Sequence, residues 1–230
     1  MPRLFGQKLP KRKFNRGRYH RTMGDIGYAA DTANKALATA THIKTLLNVE
    51  RKHRNDSGTD TPNVEGNTSL LNHVAQGDDW NQRIGRQIRM SSLYVKLKYT
   101  INASASHTVV RTLFLVKKDV DGATADKDEV FDNPSSNGVL SMRNINHMHN
   151  YYVIRDFMLT LDSNDPEQFR NIFIDFNKLP KGVQRVKYNS GVAGTVADMD
   201  KNALFIYTLS DDNTNNPSVE YNARIRYIDN

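Results

Sequence analysis

The stretch LYVKLKYTI, residues 93–101, limits the fold more than any other part of the chain. Leu93, Val95, Leu97, Tyr99 and Ile101 alternate with polar residues. A period of two puts the apolar set on one face of a strand and the polar set on the other. SVEYNARIRY repeats the pattern near the end, with Val219, Tyr221, Ala223, Ile225 and Tyr227 on one side. VVRTLFLV (109–116), YVIRDFMLTL (152–161), RNIFIDF (170–176), GVQRVKY (182–188) and ALFIYTLS (203–210) also read as strands, and SLLNHVA (69–75) as a weaker one. Eight strands joined by irregular loops, one of them a polar insertion at about 117–150, predict an all-β fold: a single eight-stranded jelly roll, or two-sheet antiparallel sandwich, over residues 68–230.

The N-terminal third differs. Residues 1–22 hold Arg3, Lys8, Lys11, Arg12, Lys13, Arg16, Arg18 and Arg21 and no acid, and are expected to form a disordered basic arm. Of 32 basic residues the other 24 face 25 acidic ones. The excess positive charge therefore sits in the arm, and the body is balanced. Phe14 and Tyr19 interleave with the cations. Cations release counterions from phosphates and aromatic rings stack on unpaired bases, so this composition points to a single-stranded nucleic acid. Lys11, Arg12 and Lys13 also form a short basic run that host import machinery can read.

In the segment 23–53, Ile26, Ala30, Ala33, Leu37, Ala40, Ile43 and Leu47 step by three or four, which predicts an N-terminal α-helix over about 25–53. RNDSGTDTPNVEGN, residues 54–67, reads as a linker.

No arrangement of catalytic residues stands out. The chain has no cysteine, which excludes disulfides and thiol chemistry. His147 and His149 have metal-ligand spacing without a convincing third ligand. Asp119, Asp121, Asp126, Asp128 and Glu129 lack the order of a calcium loop and read as a solvated loop. No enzyme activity, cofactor or metal is expected. No apolar run approaches a membrane span, so no membrane insertion is expected either.

Residues 76–90, QGDDWNQRIGRQIRM, carry a resemblance. Gln76-Gly77 and Arg83-Ile84-Gly85, followed by a long alternating strand, resemble the start of the β-domain in capsid proteins of CRESS-DNA viruses, the circular Rep-encoding single-stranded DNA viruses that include the circovirus relatives. Further pieces agree in order. Asn48-Val49-Glu50-Arg51-Lys52 resembles the segment ending the family's N-terminal helix. Arg111-Thr112-Leu113-Phe114-Leu115-Val116 resembles a strand with an early arginine. Tyr152-Val153-Ile154-Arg155-Asp156-Phe157 is similar to an internal strand of the family, with its arginine placed later. Arg226-Tyr227-Ile228-Asp229-Asn230 resembles its closing strand.

The resemblance implies a capsid protein that self-assembles into an icosahedral shell of about sixty copies, with the arm turned inward onto a single-stranded DNA genome. It implies residence in the virion, assembly in the host nucleus and an unidentified cell-surface receptor. The residues alone leave open a cellular nucleic-acid-binding β-sandwich, or the capsid of a small satellite-type RNA virus. Trp80, Arg83, Arg86 and Arg89 form a secondary candidate cluster, lining an inner surface or a subunit interface; the bland alternative is a salt-bridged strand edge beside Asp78 and Asp79. Trp80 is expected to anchor an interface or the core rather than to stack on a base.

Overall fold

The computed structural model describes residues 28–40, 51–132 and 138–229. The chain divides into two units, Met1–Asn48 and Val49–Asn230. In the first, residues 28–40 are helical (α1). Its threonines fit the helix by bonding back one turn: the Thr32 and Thr39 hydroxyls donate to the carbonyls of Tyr28 and Lys35, each at 2.8 Å. The arm at 1–22 lies outside the described residues, as do Ile26, Ile43 and Leu47 of the helical stripe.

Among its described residues the second unit contains nine strands: β1 (Arg51–Asp60), β2 (Asn67–Leu70), β3 (Gln87–Thr100), β4 (His107–Asp119), β5 (Tyr151–Asp162), β6 (Glu167–Asp175), β7 (Arg185–Tyr188), β8 (Met199–Ser210) and β9 (Ser218–Asp229). Two one-turn helices, α2 (Lys127–Val130) and α3 (Lys181–Gln184), interrupt the connections. All ladders are antiparallel. One set runs β1-β9-β3-β6 and the other β2-β8-β4-β5. The all-β sandwich is as predicted, but its eight strands include the unexpected β1, while the expected strand at 182–188 is the short β7. Strand β7 pairs with both β3 and β8, so the ladder continues from one sheet into the other.

The core lies between the two sheets. Leu93, Val95, Leu97 and Tyr99 of β3 and Val219, Tyr221, Ala223, Ile225 and Tyr227 of β9 are all buried, as the alternation required. Tyr99 and Thr112 bridge the sheets with a buried hydroxyl–hydroxyl bond of 2.9 Å.

The sheets differ on their outer sides. From Asn202 to Ser210, β8 is buried at every residue. The insertion between β4 and β5 covers it: the Phe131 ring meets Tyr207 edge-on at 5.8 Å, and Val130 and Val139 are buried beside it. Arg111 pins this cover. Its guanidinium bonds both Asp156 oxygens (2.9 and 2.7 Å) and the carbonyls of Val139 (3.0 Å) and Ser141 (2.6 Å), and lies 4.9 Å from the Phe131 ring centre. Strands β9 and β3 instead keep alternating buried and exposed residues.

Strand β1 corrects the sequence reading. Residues 51–53 were expected to end the helix and 54–67 to be a linker, yet 51–60 pair with β9 at all ten positions. Its core-facing side carries Lys52, Arg54, Asp56, Gly58 and Asp60, so no apolar alternation marks it. Polar contacts hold it instead: Lys52 pairs with Asp229 at 3.3 Å, Asp56 lies 3.6 Å from the His73 ring nitrogen, and Asp60 accepts from the Ser69 hydroxyl at 3.0 Å. Gly58 lets the Tyr221 ring lie against the strand: a Cβ would come within 2.6 Å of its hydroxyl oxygen and force the ring to shift.

Candidate nucleic-acid interface

The open outer side of β1-β9-β3-β6 is where the exposed polar alternates collect. Register places Tyr94 of β3 between Arg224 of β9 and Phe173 of β6. One step along, Lys96 lies between Asn222 and Asn171, and then Lys98 between Glu220 and Phe169. On the far side of β9, Asn55 stands opposite Arg224 and His53 opposite Arg226. Phe169 and Phe173 are 66% and 59% exposed, too much for core residues. A cleft of about 530 Å³ opens here, lined by Tyr94, Lys96, Phe173, Arg224 and Arg226 among others.

The cations are held in different ways. Arg224 donates from Nε to the Asn55 side chain at 2.7 Å, which fixes the guanidinium and leaves its terminal nitrogens for another acceptor. Lys98 is bound to Glu167 at 2.9 Å, and that hydrogen bond raises its pKa. Its charge is therefore matched, whereas Lys96, Arg224 and Arg226 have no ion pair among the described residues. Guanidinium forks grip phosphate oxygens, and exposed rings between them offer stacking faces. The arrangement suits a single-stranded polyanion with bases free to stack.

The residues proposed from the sequence fare differently. Arg3, Lys8, Lys11, Arg12, Lys13, Phe14, Arg16, Arg18, Tyr19 and Arg21 lie outside the described residues. Trp80 is 58% exposed, so it is not a core anchor; its ring lies 4.6 Å from that of His53, tilted by 45°. Arg83 corrects the cluster reading. It is fully buried, and it donates to the carbonyls of Val74 (3.2 Å), Gly85 (2.7 Å) and Gly191 (2.7 Å), with its guanidinium 4.1 Å from the Tyr188 ring centre. It ties two loops together and cannot meet a ligand. Arg86 is exposed and Arg89 half-buried, so the three arginines do not form one row. Tyr94, Lys96, Phe169, Phe173, Arg224 and Arg226 were missed. Their signal was the other half of the alternation that located the core.

The remaining candidates are occupied with one another. Asp126 caps α2 by accepting from the Asp128 backbone N–H at 3.1 Å, the Tyr151 hydroxyl donates to Glu129, and Asp119 pairs with Lys201 at 3.4 Å. His147 and His149 stack with ring centres 6.5 Å apart. Among the described residues no three His, Asp or Glu groups converge on a metal position, and no helix is long and apolar enough to cross a membrane.

A family model described as "Geminivirus coat protein/nuclear export factor BR1 family" matches residues 11–230. The chain belongs to this geminivirus coat protein family. It is thus a capsid-type structural protein of a small virus, not an enzyme. The membership agrees with the broader resemblance to CRESS-DNA virus capsids. No curated protein sequence matches the chain. Solved structures that align with it include Desmodium yellow mottle tymovirus (8% identity, 78% of this chain and 88% of that one, TM-score 0.33). Others are the 60-mer BFDV capsid protein (10% identity, 77% and 90%, TM-score 0.28) and the Israel acute paralysis virus pentamer (14% identity, 79% and 68%, TM-score 0.29).

Proposed function

We propose that the protein assembles as many copies into a closed shell and packages single-stranded DNA inside it. Two parts would hold the strand: the basic arm of residues 1–22 and the open face bearing Tyr94, Lys96, Phe173, Arg224 and Arg226. The observation that carries this reading is the inequality of the two sheets. One is roofed by the insertion on Phe131 and Tyr207; the other leaves aromatic rings in solvent beside exposed cations that have no ion pair among the described residues. A shell protein needs one side built for the genome, and the open side has that chemistry. The body behind the arm is near neutral, so copies pack together without strong mutual repulsion. Lys11, Arg12 and Lys13 would serve import into the host nucleus before assembly.

A second reading comes from the family's description, which joins coat proteins with a nuclear export factor. That reading keeps the nucleic-acid face and drops the shell. Electron microscopy of the purified full chain separates the two: spherical particles of uniform size support the capsid reading, and a discrete small oligomer that binds DNA supports the carrier. Particles that retain their nucleic acid unchanged after deletion of residues 1–22 would remove the arm from the account.

A further inference from the structure

The outward row of β3 does not end at Tyr94. Past a register shift between Met90 and Ser92 it continues through Arg89 and Gln87, which pair with Arg185 and Lys187 of β7. Directly paired residues share a face, so these two β7 cations extend the open face towards one end of the sandwich. Both are exposed, while Val186 between them and Tyr188 after them point inward. Lys181 on α3 and Lys201 on β8 close around the same place. The result is a cleft of about 450 Å³ lined by four cations with Gln87, Gly182 and Asn202, and by no carboxylate. Lys201 pairs with Asp119 at its margin; Lys181, Arg185 and Lys187 have no ion pair among the described residues.

This cleft is held in shape by a strained residue. Asn202 has a φ of 63°, a left-handed conformation that side chains other than those of Asn, Asp and Gly rarely adopt. Its side-chain amide donates to the carbonyls of Gly182 (2.7 Å) and Arg185 (2.5 Å). Its own carbonyl accepts from the buried Asn72 side chain at 3.0 Å. Asn202 thus locks α3 and the start of β7 onto β8, which fixes Lys181 and Arg185 relative to Lys201. Four like charges with one acid at the margin repel one another, and strain of this kind is retained where the surrounding structure is set up for a ligand.

We infer that this cleft is a phosphodiester-binding site that takes up the same strand where it leaves the Tyr94–Phe173 platform. The inference rests on the reading of the open face given under Proposed function. Asn202 acts as a positioning residue and the four cations contact phosphate oxygens.

The test uses the full chain and a fluorescent oligodeoxythymidylate titrated over a range of salt. Each phosphate contact to a single strand contributes about 0.7 to the slope of log affinity against log salt. Arg185→Gln with Lys187→Gln should make the slope shallower by about 1.4, with thermal stability unchanged because both side chains are exposed. Asn202→Gly keeps the backbone conformation and removes the two amide bonds; it should lower affinity without changing any charge. Three results overturn the inference. An unchanged slope in the β7 variant, while Arg224→Gln with Arg226→Gln does flatten it, removes this site and leaves the open face standing. An unchanged slope in both variants removes the open-face reading itself. Loss of binding to a heparin fragment with DNA binding intact assigns the cleft to a sulfated glycan instead.

Discussion

Strands β8 and β9 follow one another in sequence and end in opposite sheets, and they differ in what covers them. From Asn202 onward β8 is buried on both sides, with the insertion laid over Tyr207 and Leu209. Strand β9 is buried on one side only, and its other side presents Glu220, Asn222, Arg224 and Arg226. The lesson is that a jelly roll's two sheets need not be equivalent. Here one outer side is spent on stability and the other is left for contact. The same division separates the arginines. Arg111 and Arg83 bind carbonyls and hold loops, whereas Arg224 and Arg226 are available to a ligand.

This contrast can be broken by mutation. The largest effect belongs to the roofed side. Phe131→Ala should cost about 3–5 kcal/mol, because a fully buried ring packed on Tyr207 and Arg111 leaves a cavity. Denaturant unfolding reads it, and a cost under 1 kcal/mol would mean that the insertion is not a true cover. Arg83→Met comes next. Of the three carbonyls that lose their donor only that of Val74 sits in a fully buried bond, so the cost is about 1–3 kcal/mol for one buried group left unsatisfied, yet the change should not alter the salt dependence of DNA binding. A flattened slope in that variant would return Arg83 to the nucleic-acid site.

On the open side the ranking reverses. Tyr94→Ala with Phe173→Ala should change stability little and weaken single-stranded DNA binding by about 1–3 kcal/mol per stacked base. Equal loss of affinity for double-stranded DNA would show that stacking is not the contribution removed.

The smallest effect concerns β1. Burial, and then Arg54, lower the pKa of His73, against the pull of Asp56. A His whose folded pKa is depressed stabilises the fold fully above its unfolded value near 6.5, and that stability is lost as the pH falls through this window towards the folded pKa. Stability should therefore decline on acidification below about pH 6.5, and His73→Asn should flatten that decline in a pH series of thermal melts. Asp60 works in the other direction, since burial raises its pKa, so its contribution favours the protonated form at lower pH.

Much of this was legible in the sequence, and particular residues show where legibility stopped. The alternation in LYVKLKYTI and SVEYNARIRY located both the core and, on its unread half, the open face. The unbroken apolar run ALFIYTLS marks a strand covered on both sides, as β8 is. Strand β1 was not legible, because RKHRNDSGTD has a linker's composition and is held by Asp229, His73 and Ser69 from elsewhere. Arg83 was misleading for the same reason. Its partners Val74 and Gly191 flank loops far apart in the chain, and a cation satisfied by carbonyls looks like any other cation in sequence.

The central claim is that the nucleic acid lies on the open face. Ultraviolet cross-linking of the full chain to an oligodeoxythymidylate, with the linked peptides mapped by mass spectrometry, tests it directly. Cross-links are expected at Tyr94 and Phe173 beside those of the arm. Cross-links confined to the arm, or falling on the roofed side around Phe131 and Tyr207, would contradict it.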